Sequence, residues 1–266
     1  MNRIEKTFAA LKEENRTAFI PFIMAGDPDA DTSLEILKSL PDAGADLIEI
    51  GMPFTDPAAD GPAVQLAGQR ALQGGANMNR TLEMIKSFRE DNTETPIILM
   101  GYYNPIFIYD TQRFVKNAVQ AGADGVIIVD LPPEESTEFA TLCGAGGLDF
   151  IRLITPVTTG ARIAKITNEA SGFLYYVSIT GVTGAAKADL SVITPHIEEI
   201  RTHTDLPIAI GFGIKTPQDA AHMAKLGDAV VVGSALAETI LQNKDNSGLL
   251  DIISSQIKDL SAAAHK

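Results

Sequence analysis

The chain alternates short apolar runs with longer stretches of mixed character. Eight runs read as β-strands: 18–24, 47–51, 97–101, 125–129, 150–154, 173–177, 208–211 and 229–233. Most are continuously apolar rather than alternating, the pattern of strands buried on both faces in a parallel sheet covered by helices. Between them, apolar residues fall at helical spacing. Leu34, Leu37 and Leu40 form one face, in a helix that Pro41 must end or kink. Further faces are Leu82, Ile85 and Phe88; Phe114, Ala118 and Ala121; Ile163 and Ile166; and Ala220, Met223 and Ala224. In the face of Ile193, Ile197 and Ile200, Pro195 is tolerated only in the first helical turn. At the N-terminus, Ile4, Phe8 and Leu11 stripe a segment charged throughout, which reads as a surface helix and not a signal peptide.

The strand midpoints recur about every 30 residues, the size of a βα unit. Local phrases recur with them: GADLIEIG (44–51), GADGVIIVD (122–130) and GDAVVVG (227–233), and the pair PIILMG (96–101) and PIAIGFG (207–213). No linker or low-complexity stretch interrupts the series. The pattern predicts one domain over 1–266, a single (β/α)8 TIM barrel with an extra N-terminal helix. The alternative is an open doubly wound sheet, which would favour GxGxxG after the first strand; the chain has AGDPDA there.

Composition narrows the partners. The 266 residues carry a formal net charge of −13, which argues against nucleic acid and anionic membrane. A small anion remains possible, because backbone N–H groups can hold it without side-chain charge. No apolar run is long enough to span a membrane. A single cysteine, Cys143, excludes an intrachain disulfide and reads as structural, so the inferred compartment is the cytoplasm.

In a barrel the chemistry lies at the C-terminal strand ends and in the loops after them. Those positions hold Gly26 and Asp27, Glu49, Tyr102 and Asn104, Asp130, Thr155, Tyr175 and Ser178, Gly211 to Gly213, and Gly233 and Ser234. Glu49 stands out. A carboxylate inside the buried-strand pattern LIEIG is costly unless paired or functional, and burial would raise its pKa toward proton-transfer duty near neutrality. The bland alternative is a satisfied core glutamate or one facing the helices. The longest step follows the second strand and holds Asp56 and Asp60 among prolines and glycines. They either shape turns and cap a helix near Pro62, or Asp60 faces one substrate together with Glu49, dividing acid and base work. Glycine-rich turns GVTGA (181–185), GFGIKTPQDA (211–220) and GSALAETI (233–240) follow the sixth, seventh and eighth strands. The last two occupy the usual phosphate position of such barrels. His196, His203, His222 and His265 fall on helices or the tail and read as surface residues. No metal-ligand spacing is found. Lysine is missing from the strand ends, which argues against Schiff-base chemistry, with Lys187 in the sixth loop a weak exception.

These residues carry a resemblance. IEIGMPFTDPAADGP (48–62) is similar to the signature of the tryptophan synthase alpha chain family, and PFIMAGDP (21–28), MGYYNP (100–105), GVIIVDLPPEE (125–135), YYVSITGVTGA (175–185) and IGFGIKTP (210–217) agree with it in order. The resemblance implies retro-aldol cleavage of indole-3-glycerol phosphate to indole and glyceraldehyde 3-phosphate, without metal or organic cofactor. It implies that Glu49 moves the proton at indole C3, that Asp60 stabilises the positive ring nitrogen, and that Tyr175 packs at the reacting centre. By the same resemblance Phe22, Leu99, Tyr102, Ile127, Val129, Leu153, Thr183 and Phe212 wall the indole, and Gly184, Gly213, Gly233 and Ser234 hold the phosphate. The loops near 53–60 and 178–190 close over the substrate. The implied partner is a beta subunit that carries pyridoxal phosphate, in an α2β2 assembly through which indole passes by a tunnel, with Asp56, Asn104 within YYNP (102–105) and Pro132 at the interface. The chain departs from the family at Thr55, where serine is frequent, at Ala58, where a bulky residue is frequent, and in lacking an arginine within SITGVTG. Two other readings stay open: a sugar-phosphate isomerase or epimerase, which usually needs the strand-end Lys, His or metal cluster missing here, and an alpha-like subunit that only activates its partner, which intact Glu49 and Asp60 oppose.

Overall fold

A computed structural model gives the fold; it describes residues 1–177, 190–211 and 213–265, and of residues 190–192 the backbone only. Eight strands, β1 (Ala18–Met24), β2 (Ile48–Gly51), β3 (Ile97–Gly101), β4 (Gly125–Ile128), β5 (Asp149–Ile154), β6 (Leu174–Val177), β7 (Ile208–Gly211) and β8 (Ala229–Val232), pair in parallel in sequence order. Ala18 to Pro21 of β1 pair with Ala229 to Val232 of β8, which closes the barrel. This is the expected TIM barrel, and every predicted run coincides with a strand, with ends differing by one residue at most.

The helices are α1 (Arg3–Glu13), α2 (Ala30–Ser39), α3 (Pro62–Gln73), α4 (Met78–Arg89), α5 (Tyr103–Tyr109), α6 (Thr111–Ala121), α7 (Thr137–Gly146), α8 (Gly160–Glu169), α9 (Leu190–Arg201), α10 (Pro217–Met223), α11 (Ser234–Asn243) and α12 (Leu249–Ala264). α2 ends two residues before Pro41, as the ring requires. Pro195 corrects one expectation. It is the sixth residue of α9 and not in its first turn, so that helix forgoes one interior hydrogen bond.

Strand residues alternate between two cores because successive side chains point to opposite faces. Ile48, Ile50, Ile97, Leu99, Val126, Ile128, Phe150, Ile154, Tyr176 and Ile210 pack outward beneath the helices. Leu47, Ile98, Ile127, Ile151, Tyr175, Ala209 and Val231 pack inward, and Met100, Val129 and Leu153 join them nearer the C-terminal end. α1 is more than a surface helix. Its Ile4, Phe8 and Leu11 belong to the inner core, with the Phe8 ring 5.8 Å from that of Phe173, so they plug the barrel's N-terminal mouth. Arg3 and Arg89 both bond Asp124 (2.9 and 2.8 Å) and hold that end shut. Among the described residues no helix is long and apolar enough to cross a membrane.

The plug makes a stability prediction. Truncating a buried aromatic removes its transfer energy and leaves a cavity, so Phe8→Ala is expected to cost about 3–5 kcal/mol. In urea the unfolding midpoint should fall with the slope unchanged; an unchanged midpoint would show that α1 does not seal the barrel.

Candidate active site

Glu49 lies in β2 between Phe22 of β1 and Ile98 of β3 in register. Leu47 points inward and Ile48 and Ile50 outward, so Glu49 points into the barrel, not toward the helices. It is 2 % exposed, and among the described residues its Oε1 has no hydrogen-bond partner. Burial, reinforced by the charge of Asp60, pushes its carboxyl up to about 8.

Asp60 is half-buried in the loop between β2 and α3. It does not cap that helix: the N-cap is Gly61, no side chain bonds there, and Pro62 begins the first turn. Burial raises the Asp60 carboxyl to about 6, and a hydrogen bond from Tyr102 opposes the rise. The loop is fixed at several points. The Ala59 N–H donates to the Tyr102 hydroxyl (2.9 Å), Gln65 Nε2 donates to the Asp60 carbonyl (2.9 Å), and the Asp60 N–H donates to the Pro57 carbonyl (3.1 Å). Tyr102, at the start of α5, also lies against Phe54, ring centroids 5.4 Å apart. Asp56 is exposed and accepts a hydrogen bond from Thr55 Oγ1 (2.6 Å), so the hydroxyl at that position serves the loop.

Tyr175 of β6 is buried, and the Glu49 charge adds to burial in raising its phenol well above the ordinary value. A Cβ on Gly211 would overlap the Tyr175 hydroxyl, so β7 needs glycine there for the ring to lie across the barrel. The structure therefore brings Glu49, Asp60, Tyr102 and Tyr175 together. Phe22, Ile127, Val129 and Leu153 face the same interior. Leu99 does not. It packs outward under the helices in register with Ile50 and Val126, while Met100 takes the inward place expected of it, because alternate residues of a strand share a face.

At the seventh and eighth strand ends, Gly213 has φ +78°, a conformation suited to glycine, and Gly233 is the N-cap of α11 with Ser234 its first residue. No side chain caps α11, so its leading N–H groups stand at the barrel's C-terminal end. Thr183 and Gly184, with Ser178 and Lys187 of the sixth loop, and Phe212 lie outside the described residues. Asn104, in the first turn of α5, and Pro132, in the loop after β4, are both exposed. Sequence reasoning overlooked Phe107 and Ile108 on α5, which are 66 % and 76 % exposed. His196 is corrected too. It is buried, with Nδ1 3.1 Å from the Tyr176 hydroxyl and Nε2 2.6 Å from the Thr158 carbonyl, and so joins α9 to the barrel. Among the described residues no group of His, Cys, Asp or Glu is arranged to hold a metal ion.

Residues 8–264 match the family model of the tryptophan synthase alpha chain. The chain belongs to that family. Tryptophan synthase subunit alpha from Legionella pneumophila is 39% identical, with TM-score 0.93 over 99% of this chain and 98% of that one. A protein from Aquifex aeolicus is 35% identical, with TM-score 0.92 over the full length of both. Tryptophan synthase from Mycobacterium tuberculosis is 29% identical, with TM-score 0.90 over 100% of this chain and 99% of that one. As an alpha chain it is a carbon–carbon lyase that cleaves indole-3-glycerol phosphate to indole and glyceraldehyde 3-phosphate, and its partner is a beta subunit.

The Tyr102 contact has a measurable sign. A hydrogen bond to a carboxylate favours its charged form, so Tyr102→Phe is expected to raise the Asp60 pKa by up to about 1 unit. The Asp60 carboxyl, followed by carbon NMR, should titrate at higher pH by that amount. A titration that stays in place would mean that the phenol does not hold Asp60.

Proposed function

We propose that Glu49 is the proton-transferring group of the lyase reaction and that Asp60 stabilises the cation it creates. The observation that carries this reading is geometric: Glu49 faces into the barrel from β2, 2 % exposed and with Oε1 unpartnered among the described residues, close enough to the half-buried Asp60 to feel its charge. Burial raises both carboxyls, the deeper Glu49 to about 8 and Asp60 to about 6, which suits the first to give a proton and the second to carry charge. Glu49 gives its proton to indole C3, and the positive charge that appears on the ring nitrogen is offset by the Asp60 carboxylate. The Glu49 carboxylate then takes the proton from the hydroxyl on the adjacent side-chain carbon. The O–H pair forms the aldehyde C=O, and the pair of the broken C–C bond returns to the ring and neutralises the nitrogen. Indole and glyceraldehyde 3-phosphate leave, and Glu49 is again protonated.

Tyr175 packs beside the reacting centre. Phe22, Tyr102, Ile127, Val129 and Leu153, with Met100 in place of Leu99, form apolar walls suited to a flat aromatic ligand. The phosphate rests on backbone donors at Gly213, Gly233 and Ser234; the uncapped N-terminus of α11 supports this. Thr183, Gly184 and Phe212 are assigned by resemblance alone. The proposed contact with the beta subunit takes in Asp56, Asn104 and Pro132, and the exposed Phe107 and Ile108 beside Asn104 favour it, since large apolar side chains grouped in solvent mark interaction surfaces. The reaction asks this chain for no cofactor of its own, and pyridoxal phosphate is assigned to the beta subunit. The proposed compartment is the cytoplasm, which the buried free thiol of Cys143 suits.

Indole release from indole-3-glycerol phosphate tests the assignment. Glu49→Gln is expected to lower kcat by about 100- to 10,000-fold while leaving substrate affinity largely intact; unchanged turnover would remove Glu49 from the role. The wild-type kcat/KM should be bell-shaped. It rises through about pH 6 as Asp60 ionises and falls through about pH 8 as Glu49 loses its proton. The two limbs belong to the coupled pair. A profile flat from pH 5 to 9 would reject the pairing.

A further inference from the structure

Asp60 leads directly into α3, so its position depends on how that helix is fixed to the barrel. The inward face of α3 is Ala67 and Ala71, packed with Phe22, Met24 and Ala237. A cavity of about 40 Å3 lies beside it, between small residues such as Ala25, Ala71 and Gly74 on one side and Arg80, Thr81 and Met84 of α4 on the other. Alanine side chains reach only a short way into the seam, and atoms that line a void forfeit dispersion contacts, so apolar packing alone fixes the helix less firmly here. Among the described residues, a charged contact bridges this seam. Arg70 Nε donates to Asp27 Oδ1 at 2.7 Å and Arg70 Nη2 to Oδ2 at 2.9 Å. The side chains are 16% and 1% exposed. Asp27 stands in the loop after β1, the strand whose Phe22 lies opposite Glu49.

We propose that Arg70 and Asp27 are positioning residues for the cleavage: their bidentate ion pair sets where α3 sits and thereby where Asp60 stands relative to Glu49. The inference rests on the roles assigned to those two carboxyls above. A planar guanidinium bound at both nitrogens fixes distance and angle together, which an ammonium does not. Such a pair contributes geometry more than stability, because burying both charges offsets most of their attraction; burial leaves the Asp27 carboxyl above its ordinary value despite the guanidinium.

The test uses the purified full-length chain and indole-3-glycerol phosphate, with kcat and KM from indole release and folding from circular dichroism and the thermal midpoint. Arg70→Met is expected to lower kcat about 10- to 100-fold, the cost of a displacement near 1 Å, with KM within about threefold. Arg70→Lys should recover only part of the rate. The double variant Asp27→Asn/Arg70→Met leaves no lone buried charge and should fold while remaining as slow as Arg70→Met; it decides the matter if the single variant does not fold. Adding Arg70→Met to Asp60→Asn should lower the residual rate by less than about twofold, because residues acting through one another are not additive. A folded Arg70→Met or double variant with kcat within about twofold of wild type overturns the proposal, as does an equal loss in the Asp60→Asn background. If Asp60→Asn or Glu49→Gln retains full turnover, the underlying assignment fails, whatever Arg70→Met does.

Discussion

The active site depends on keeping one carboxyl dry. Glu49 is 2 % exposed inside a closed barrel, with one oxygen that no described residue bonds. A bare carboxylate in such a place costs several kcal/mol, and the group avoids much of that cost by holding a proton. Acidity in this site is therefore graded by depth. Glu49 on a strand is pushed to about 8, and Asp60 on a loop, half-buried and bonded by Tyr102, only to about 6. Two side chains that titrate together in water are separated by burial, by their mutual charge and by the Tyr102 hydrogen bond, and the proposed division of acid from base rests on that separation.

The same economy explains how an acidic chain accommodates a phosphate ester. A net charge of −13 sets an unfavourable long-range field, but salt screens it beyond roughly 8 Å, and contact-range donors decide. The N-terminus of α11 supplies such donors without any side chain, because Gly233 caps nothing and β8 delivers that turn to the same end of the barrel as Glu49.

What the sequence made legible follows from local periodicity, and what it hid is long-range. Continuous apolar runs every 30 residues or so carry the barrel, and a glutamate within one of them marks the candidate site. The run IILMG, however, is apolar at both parities, so its inward residue cannot be read from hydrophobicity; only pairing of Ile98 with Glu49 shows that Met100 and not Leu99 turns in. α3, PAVQLAGQRALQ, packs through alanine and gives little apolar period. His196 resembled a solvated helix residue because its partners, Tyr176 and Thr158, lie 20 and 38 positions away. Phe107 and Ile108 have core chemistry, and only the finished fold shows that they stand largely exposed.

Strand and loop also differ in how firmly they hold a group. Glu49 is fixed by ladders to both β1 and β3, so its placement is as rigid as the barrel. Asp60 has no ladder. It depends on the loop contacts to Tyr102, Gln65 and Pro57 and on the seating of α3. Tyr102 stands where these dependencies cross, since it bonds the loop that carries Asp60 and opens α5, the helix that exposes Phe107 and Ile108. The carboxyl proposed as the acid is thus placed by the part of the fold that every TIM barrel shares, and the one proposed to stabilise the cation by the loops that differ from one barrel to the next, which is how similar barrels can serve unrelated reactions.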